Sequence, residues 1–543
     1  MSLQTAQIFK EYRSGVAFKQ SLGEKGMYNQ NRINERFYSG EQWSGAKCGN
    51  DRPLVRHNII KRIGEYKMAQ VLLSPFTVSF SADGVPNTVG LRSYLKNTKK
   101  DISSNPAFLF SGERDDREIN LVMSALSDYQ RVTAERVGFT AICEKALKNS
   151  YISGSGVVYT YWDDSVKTGL YADELHKSPI SGDICCEVLD IENVFFADPY
   201  IDDVQKQPFV IIASYRSVEE VRREALSNGI KDLRGIEKSG ADDKVLVLTK
   251  LFKQSKSGGE ATVQCIKVCE HCVIRPQFDT GLHYYPVSLF AWDRRGRLIY
   301  GNSEVTYLIP NQIAINRMIT ANVWSSMTSG MPIMVVNGDT VGENVTNEPG
   351  QILRVYGSNE DVSGAVHNVT PPDFSSAFSQ NIKDLIENTL TQSGVNEAAR
   401  GDSSLNNATA LINLRNAATL PLKLVQSRFF TFIEDISRIW VDFWITHYGN
   451  RRIKMVDENG VWDLPFNAER YSNLHILANI DVGTPNSYEP DESIKLLTDL
   501  YEKGIITKTQ YLKRLPKGII PKLSELLLEI SDDAVKEGND ERI

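Results

Sequence analysis

Apolar residues recur at helical spacing in several separate stretches of the chain. Near the N-terminus the pattern predicts one helix over 28–43 and a second over 58–73, which ends before a Ser-Pro pair. A further helical stretch covers 115–151, and Gly154-Ser-Gly156 follows it as a hinge into the strand "VVYTYW". The N-terminal part of the chain is therefore expected to be mainly helical.

Between 156 and 286 the spacing between apolar residues shortens to the alternation that is typical of strands. The stretches "DICCEVLDIENVFFADPY", "KVLVLTKLFKQ", "ATVQCIKVCEHCVIR" and "HYYPVSLFAWD" predict strands, and "PFVIIASYRSVEEVRREA" predicts a strand that runs into a helix. This mixture indicates an α+β domain.

Helical periodicity returns after Gly301. It predicts helices over 303–327 and 373–392, with the short Gly-bounded strands "MPIMVVNG" and "GQILRVYG" between them. The polar stretch "QSGVNEAARGDSSLNNATALINL" follows the second helix. One helix over 407–448 is then expected to extend about 63 Å and to kink at Pro421. Further strands and C-terminal helices complete the pattern.

Composition and charge narrow the functional classes. The chain has 543 residues, enough for roughly two to four domains, and 41% of them are hydrophobic. Its formal net charge of −7 argues against a chain-wide electrostatic grip on DNA, which needs a basic face. No stretch is apolar enough to cross a bilayer, and the N-terminus lacks the apolar run of a signal peptide. The 7 unevenly spread cysteines favour a reducing cytoplasm over a disulfide framework.

Four potential metal ligands lie close together in "CIKVCEHC", namely Cys265, Cys269, His271 and Cys272. A zinc knuckle would bring such side chains to one ion. The segment alternates as a strand does, which would send Cys272 to the opposite face, and it has no Gly or Pro to form a knuckle. A strand without metal is therefore the favoured interpretation, with the metal site as its alternative.

Other candidate chemical groups have simpler explanations. The hinge Gly154-Ser155-Gly156 resembles part of a nucleophile elbow but lacks a glycine two residues before the serine. Asp198, Asp202 and Asp203 could hold a divalent ion, but turn chemistry explains them equally well. No phosphate-cradling Gly-Lys-Ser/Thr motif is present. The chain is therefore expected not to be an enzyme and to need no cofactor.

Two apolar features are assigned to the protein interior. Cys185 and Cys186 are adjacent on a predicted strand and are expected to be buried thiols. The aromatic stretch "RFFTFIEDISRIWVDFWITHY" has polar residues interleaved too regularly for a membrane surface. A helix packed by protein on two sides is expected there.

Four stretches, taken in order, carry a resemblance to a known family. "NERFYSGEQW" with "RPLVRHNIIKRIGEYKMAQVLLSPFTVSF" looks like an N-terminal helix pair, and "VFFADPYIDDVQKQPFVIIASYRSVEEV" looks like wing-domain strands. "YGNSEVTYLIPNQIAINRMITANVWSSMTSGMPIMVV" is similar to a stem helix running into a clip, and "YEKGIITKTQYLKRLP" looks like a C-terminal helical region. In this order they resemble the portal proteins, the head-to-tail connectors of tailed double-stranded DNA bacteriophages. The similarity covers most of the chain.

The resemblance implies a portal-type, multidomain α+β subunit. Its parts would follow one another as a wing (1–300), a first stem helix (301–329), a clip (330–372), a second stem helix (373–393), a tunnel loop (394–406), a long kinked helix with further wing strands (407–485) and a helical crown (486–543).

The function implied by the resemblance is that of a channel. Such subunits assemble into a ring, about twelve of them in a virion, around a central channel at one capsid vertex. A separate terminase ATPase pumps DNA in through this channel, and the DNA leaves through it on infection. The implied partners are other copies of the chain, the terminase large subunit, the head-tail adaptor, scaffold and major capsid protein, and double-stranded DNA in passage, with no membrane. The implied location is the virion, after assembly in the host bacterial cytoplasm.

Two sets of residues are implied to carry this function. Clip residues that would contact terminase and adaptor are Met331, Ile333, Val335, Asn337, Asp339, Glu343, Leu353 and Val355. Tunnel-loop residues that would face DNA are Gly394, Asn396, Glu397, Arg400, Asp402, Ser403, Ser404 and Asn406. A small, polar, weakly acidic loop suits a moving duplex, because a basic lining would bind the phosphates and stall it. An ordinary exposed linker is the alternative for this segment.

Two rival functions remain. A different ring-forming head-completion protein would share the assembly, but such chains are usually much shorter and lack a helix–clip–helix insertion. A metal-dependent nuclease would use Asp198, Asp202 and Asp203 and would cleave plasmid with Mg²⁺.

Overall fold

The computed structural model mixes helices with sheets. The residues it describes are 3–43, 54–72, 76–82, 116–171, 179–233, 235–236, 243–255, 261–329, 333–336, 339, 356, 366–369, 376–395, 408–457, 460–467, 476–482, 490–506 and 511–512. The chain forms two compact units, Met1–Val71 with Val78–Asn479, and Leu72–Thr77 with Ile480–Ile543.

The N-terminal helices are α1 (Leu3–Ser21), α2 (Met27–Ser39) and α3 (Ile59–Leu72). Helix α2 buries one face, including Met27, Asn34 and Tyr38. It ends because Gly40 adopts a left-handed conformation with φ 96°, which glycine accepts without steric cost. The predicted helices of this region are confirmed.

The third predicted helix is two helices. These are α4 (Asp116–Val137) and α5 (Phe139–Ser153), and Gly138 separates them with φ 65°. The helical stretch predicted over 115–151 is therefore confirmed, with a break at this glycine. Helix α5 ends at Gly154, where the predicted hinge leads into a strand.

A five-stranded antiparallel sheet forms much of the first unit. Its strands, in spatial order, are β4 (Val194–Phe196), β5 (Phe209–Ser217), β6 (Lys244–Ser255), β7 (Ala261–Val268) and β8 (Val273–Asp279). Helix α6 (Val218–Ser227) packs its buried Val218, Val221 and Ala225 into one core cluster of this region. Ile8 and Phe9 of α1 belong to a second cluster with Phe195.

A smaller sheet has the order β3 (Pro179–Asp190), β2 (Ser155–Tyr171), β9 (Val287–Ala291). Strand β2 pairs with β9 only over its first residues, from Ser155 to Tyr159, and pairs with β3 further along. The mixed region predicted between 156 and 286 is thus confirmed as helices and antiparallel sheets.

The remaining elements follow Gly301. They are helix α7 (Glu304–Ser329), strands β10 (Ile333–Val336) and β11 (Val366–Val369), helix α8 (Ser376–Gln392), helix α9 (Ala408–His447), strands β12 (Asn450–Asp457), β13 (Gly460–Asn467) and β14 (Ile476–Val482), and helix α10 (Pro490–Glu502). Strand β14 pairs with β1 (Phe76–Ala82), and β12 forms a hairpin with β13.

Candidate functional site: a helix pair and the segment behind it

Helices α7 and α8 pack against each other in opposite directions. The side chain of Asn311, near the start of α7, donates a hydrogen bond from Nδ2 to Thr389 Oγ1, near the end of α8, over 3.3 Å. The chain therefore leaves along α7 and returns along α8. The two helices predicted over 303–327 and 373–392 are therefore confirmed.

Between these helices the chain forms a short antiparallel hairpin. Ile333 of β10 lies opposite Val369 of β11, and Val336 lies opposite Val366. Strand β10 confirms the first strand predicted here. Its partner β11 was not predicted, although the alternation in "VHNV" is a weak strand signal. The other predicted strand, 350–357, lies outside the described residues except for Tyr356.

The predicted clip contacts are only partly within the described residues. Ile333, Val335 and Asp339 are described, and the side chain of Val335 is 52% exposed. Those outside the description are Met331, Asn337, Glu343, Leu353 and Val355.

Helix α8 ends in a glycine cap. Val395 N–H donates to Leu390 C=O over 2.9 Å and Gly394 N–H donates to Thr391 C=O over 2.9 Å, a pairing typical of the Schellman motif. Gly394 has φ 81° and is close enough to Pro421 for an added Cβ to touch it at 4.0 Å. The end of α8 is thereby held beside the middle of α9.

A long part of α9 precedes this contact. Helix α9 begins at Ala408, so about 20 Å of helix precedes Pro421. Of the predicted tunnel-loop residues only Gly394 is described; Asn396, Glu397, Arg400, Asp402, Ser403, Ser404 and Asn406 lie outside the described residues.

Two polar residues of α7, Gln312 and Asn316, form a stripe that accepts hydrogen bonds from the backbone at the start of α3. Gln312 Oε1 accepts hydrogen bonds from Ile59 N–H at 2.9 Å and Ile60 N–H at 3.3 Å, and so caps α3. Asn316 Oδ1 accepts from His57 N–H at 3.0 Å. The stripe positions α7 on the N-terminal helices. Sequence reasoning missed it because the polar residues and their backbone partners are far apart in the chain.

The start of α7 is fixed by a second polar contact. Glu304 accepts hydrogen bonds from Lys67 Nζ at 2.5 Å and from Trp292 Nε1 at 2.9 Å. The ion pair is largely shielded from solvent, with side-chain exposures of 11% and 16%. Together with Gln312, Glu304 ties α7 to α3 and to Trp292, the residue that follows β9.

The second half of α9 is packed inside the first unit. Phe429 lies against Phe290 with ring centroids 5.7 Å apart, and Trp440 lies against Phe139 at 5.2 Å. Asp442 accepts a hydrogen bond from His283 N–H at 2.7 Å and contacts the His283 ring through Nδ1 at 3.0 Å. The expectation of a helix packed by protein over 428–448 is confirmed.

The three aspartates considered as metal ligands have separate structural partners. Asp198 accepts from Tyr200 N–H at 2.9 Å, and Asp203 accepts from Gln205 N–H at 2.9 Å. Asp202 forms an exposed ion pair with Arg294 at 3.7 Å. Within the described ranges, no three His, Cys, Asp or Glu side chains are grouped so that they could hold a metal ion.

The cysteine-rich segment differs from its prediction. Strand β7 ends at Val268, and Cys269–Cys272 form a turn in which Cys269 N–H donates to Cys272 C=O over 2.8 Å. The prediction of one continuous strand is wrong: the turn forms without Gly or Pro, and the Cys269 thiol also donates to Cys272 C=O at 3.3 Å. Burial raises the pKa of the Cys269 and Cys272 thiols. Cys185 and Cys186 are half-buried rather than fully buried.

Ser155 is a structural residue of the hinge. Its hydroxyl is buried and accepts a hydrogen bond from Gly301 N–H at 2.9 Å. A Cβ on Gly154 would lie 2.3 Å from Gly301 O, so the two backbone segments pass too closely for a side chain. The hinge interpretation is confirmed.

Comparisons with known proteins identify no family for this chain. No protein-family model matches the chain, and no curated protein matches it well enough to be identified as a relative. Across the described helices, none has the length and apolar character needed to span a membrane.

Proposed function

We propose that this chain is the subunit of a phage portal, a ring around a channel through which DNA enters and leaves the capsid. The observation that carries the proposal is the α7–β10–β11–α8 unit, followed by α9, of which about 20 Å of helix precedes the contact between Gly394 and Pro421. Such a unit can serve as a stem with a hairpin at one end and a projecting segment at the other.

The projecting segment would line the channel. Residues 394–406 are small and polar, and their charged residues Glu397, Arg400 and Asp402 sum to one net negative charge. A surface with few cations releases few counterions from DNA and so binds it weakly. Weak, sequence-independent contact is what a duplex in motion requires.

Ring assembly would cover apolar side chains that one copy leaves in solvent. Tyr307 on α7 is 61% exposed and Leu424 on α9 is 70% exposed. Ile309, Ile313 and Trp324 of α7 are half-buried. Neighbouring copies in a ring would remove part of this apolar surface from water.

The proposed partners follow from the proposed parts. The hairpin β10–β11 and the residues around it would contact the terminase large subunit during packaging and the head-tail adaptor afterwards. The outside of the ring would meet scaffold and major capsid protein at the portal vertex of the virion. Other head-completion rings remain a rival, whereas the separate partners of Asp198, Asp202 and Asp203 give the nuclease alternative no support.

The test is direct observation of the particle. We expect negative-stain images of the purified protein to show closed rings with a central channel, and native mass measurement to give a multiple of 61.0 kDa near twelve. Incubation with supercoiled plasmid and Mg²⁺ should leave the plasmid intact. Only monomer or dimer across buffers and concentrations, or plasmid cleavage, would contradict the proposal.

A further inference from the structure

A groove runs between α2 and α7. It consists of two adjoining cavities of about 400 and 410 Å³ that share Lys25, Ile33 and Ile309 in their walls. Along α7 the groove extends from Ser303 to Arg317, about 21 Å of helix. This is comparable with the length of α8, about 25 Å.

The groove is lined by apolar residues and by an excess of basic ones. Phe37, Ile309 and Ile313 contribute apolar surface. The charged residues in its walls are Lys25, Arg36, Arg295 and Arg317 against Glu24 and Glu41, which leaves two positive charges in excess. Arg36 forms an ion pair with Glu41 at 3.3 Å, whereas Arg317 is exposed. An acidic surface is therefore the complementary occupant.

Helix α8 presents an acidic stripe on its outer side. Its buried side, with Ile382 and Leu390, faces the protein. The stripe opposite to this side consists of Gln380, Asp384, Glu387 and Thr391, all exposed, with Lys383 at its border. Gln380 Nε2 donates to Asp384 Oδ1 over 2.8 Å.

The groove and the acidic stripe of α8 lie at the same height, that is, at the same position along the axes of the helix pair. Asn311 contacts Thr389, and the helices are antiparallel, so residue 316 lies level with residue 384. Arg317 is thus level with Asp384, and Ile313 is level with Glu387.

They also lie on different sides of the helix pair. At 100° per residue, Ile313 points about 160° away from Asn311, the residue of α7 that contacts α8. The groove therefore opens away from α8, and the acidic stripe of α8 faces away from α7.

We propose that the acidic stripe of one copy docks into the groove of the next copy, with Asp384 against Arg317. This inference rests on the proposed ring. Rotation about a ring axis parallel to the helix pair keeps every residue at its height, so each copy brings Asp384 to the level of its neighbour's Arg317. The contact is head-to-tail, because the two surfaces differ, and repeats until the ring closes.

A charge swap tests the contact. Arg317→Asp and Asp384→Arg should each place like charges together and lower the fraction of protein in rings by roughly tenfold at low salt. The combined variant restores opposite charges and should return the ring fraction to the wild-type level. Arg223→Asp and Glu144→Arg, at exposed positions on α6 and α5, are the matched controls and should leave rings intact. Circular dichroism would show whether each variant is folded.

A second measurement uses the wild-type protein. Rings assembled from isotopically light and heavy copies, treated with a carbodiimide, should contain a crosslink between Lys25 of one copy and Asp384 or Glu387 of another. Wild-type rings with unaffected single variants, or single variants that the combined swap does not rescue, would overturn the docking and leave the proposed function standing. Absence of wild-type rings would overturn both.

Discussion

Lys19 is a charged residue in the protein interior. Its Nζ donates hydrogen bonds to the carbonyl oxygens of Ile191 at 2.5 Å, Glu192 at 3.0 Å and Val194 at 2.7 Å, and lies 3.9 Å from the centroid of the Phe195 ring. Burial lowers the pKa of Lys19, and the nearby Glu192 carboxylate opposes this. Three accepting carbonyls require three N–H groups, which only the ammonium form has. The side chain therefore holds α1 to the turn before β4 as a cation.

Replacing Lys19 by Met should show how much its hydrogen bonds to those carbonyls stabilise the protein. Lys19→Met keeps the apolar stem but leaves the turn without its donors, and we expect the free energy of unfolding to fall by about 2 kcal/mol. Urea denaturation followed by tryptophan fluorescence measures this. Lys10→Met, at an exposed position of the same helix, should change stability little. Equal stabilities of the two variants would contradict this role of Lys19.

Glu224 gives the five-stranded sheet a pH-dependent contact. Its carboxylate pairs with Lys267 Nζ at 2.6 Å and with the Arg216 guanidinium, joining α6 to β7 and β5. Burial raises the pKa of Glu224, but the two cations outweigh it and the net pKa lies below the usual 4.5. Because the folded pKa is depressed, the stabilisation is present above the unfolded pKa and is lost as pH falls through the folded one.

Glu224→Gln should therefore destabilise the protein at neutral pH and much less in acid. We expect a loss of about 2 kcal/mol at pH 7, since hydrogen bonds to charged partners are lost, and a shrinking difference below about pH 4. Denaturation curves at several pH values measure it. Glu220→Gln, whose carboxylate is 58% exposed at 3.8 Å from Arg216, should cost much less at every pH. A pH-independent loss in Glu224→Gln would argue for packing instead.

At the scale of elements, hydrogen bonds from Gln312 and Asn316 join α7 to the start of α3. Gln312→Leu would leave Ile59 N–H and Ile60 N–H without an acceptor at the start of α3. We expect a loss of about 2–3 kcal/mol and faster hydrogen exchange at both amides. Gln20→Leu, at an exposed helical position, is the control for the loss of an amide. Unchanged exchange at Ile59 and Ile60 would mean that another group caps α3.

Element boundaries were predictable where a local signal sets them. Helices α2 and α5 end at Gly40 and Gly154, which adopt the left-handed conformation that glycine favours. Gly138 also adopts a positive φ and separates two helices, but the helical spacing of apolar residues continues on both sides of it. The turn at Cys269–Cys272 had no such signal, because backbone and thiol hydrogen bonds form it.

The candidate site was less accessible to sequence reasoning. The pairing of α7 with α8 follows from two amphipathic stretches joined by strands, so its order could be predicted. The caps on α3, and the register of Asn311 against Thr389, depend on residues that only the folded chain brings together. The same holds for the groove, since Lys25 and Arg317 line one cavity although they are far apart in the sequence.

At the scale of the whole molecule, a ring would repeat the small charge of residues 394–406 in every copy. Glu397, Arg400 and Asp402 sum to −1 in each copy, and Glu397→Lys with Asp402→Lys changes that sum to +3. Every copy in the ring would carry this change. A weakly acidic collar would thereby become strongly basic, and its attraction for phosphates would act on any DNA sequence.

We expect the double variant to form rings but to package DNA slowly or to arrest with partial genomes. Rings should survive because the docking proposed for assembly uses Asp384 and Arg317, which are unchanged. The defect should ease as salt rises, since exposed charges are screened over about 10 Å at 0.1 M ionic strength. Packaged DNA length in particles assembled at several salt concentrations measures it, with Ser403→Ala and Ser404→Ala as the control for lost side chains without a charge change. Normal packaging by the double variant at low salt would place this segment outside the channel, as an ordinary linker between α8 and α9.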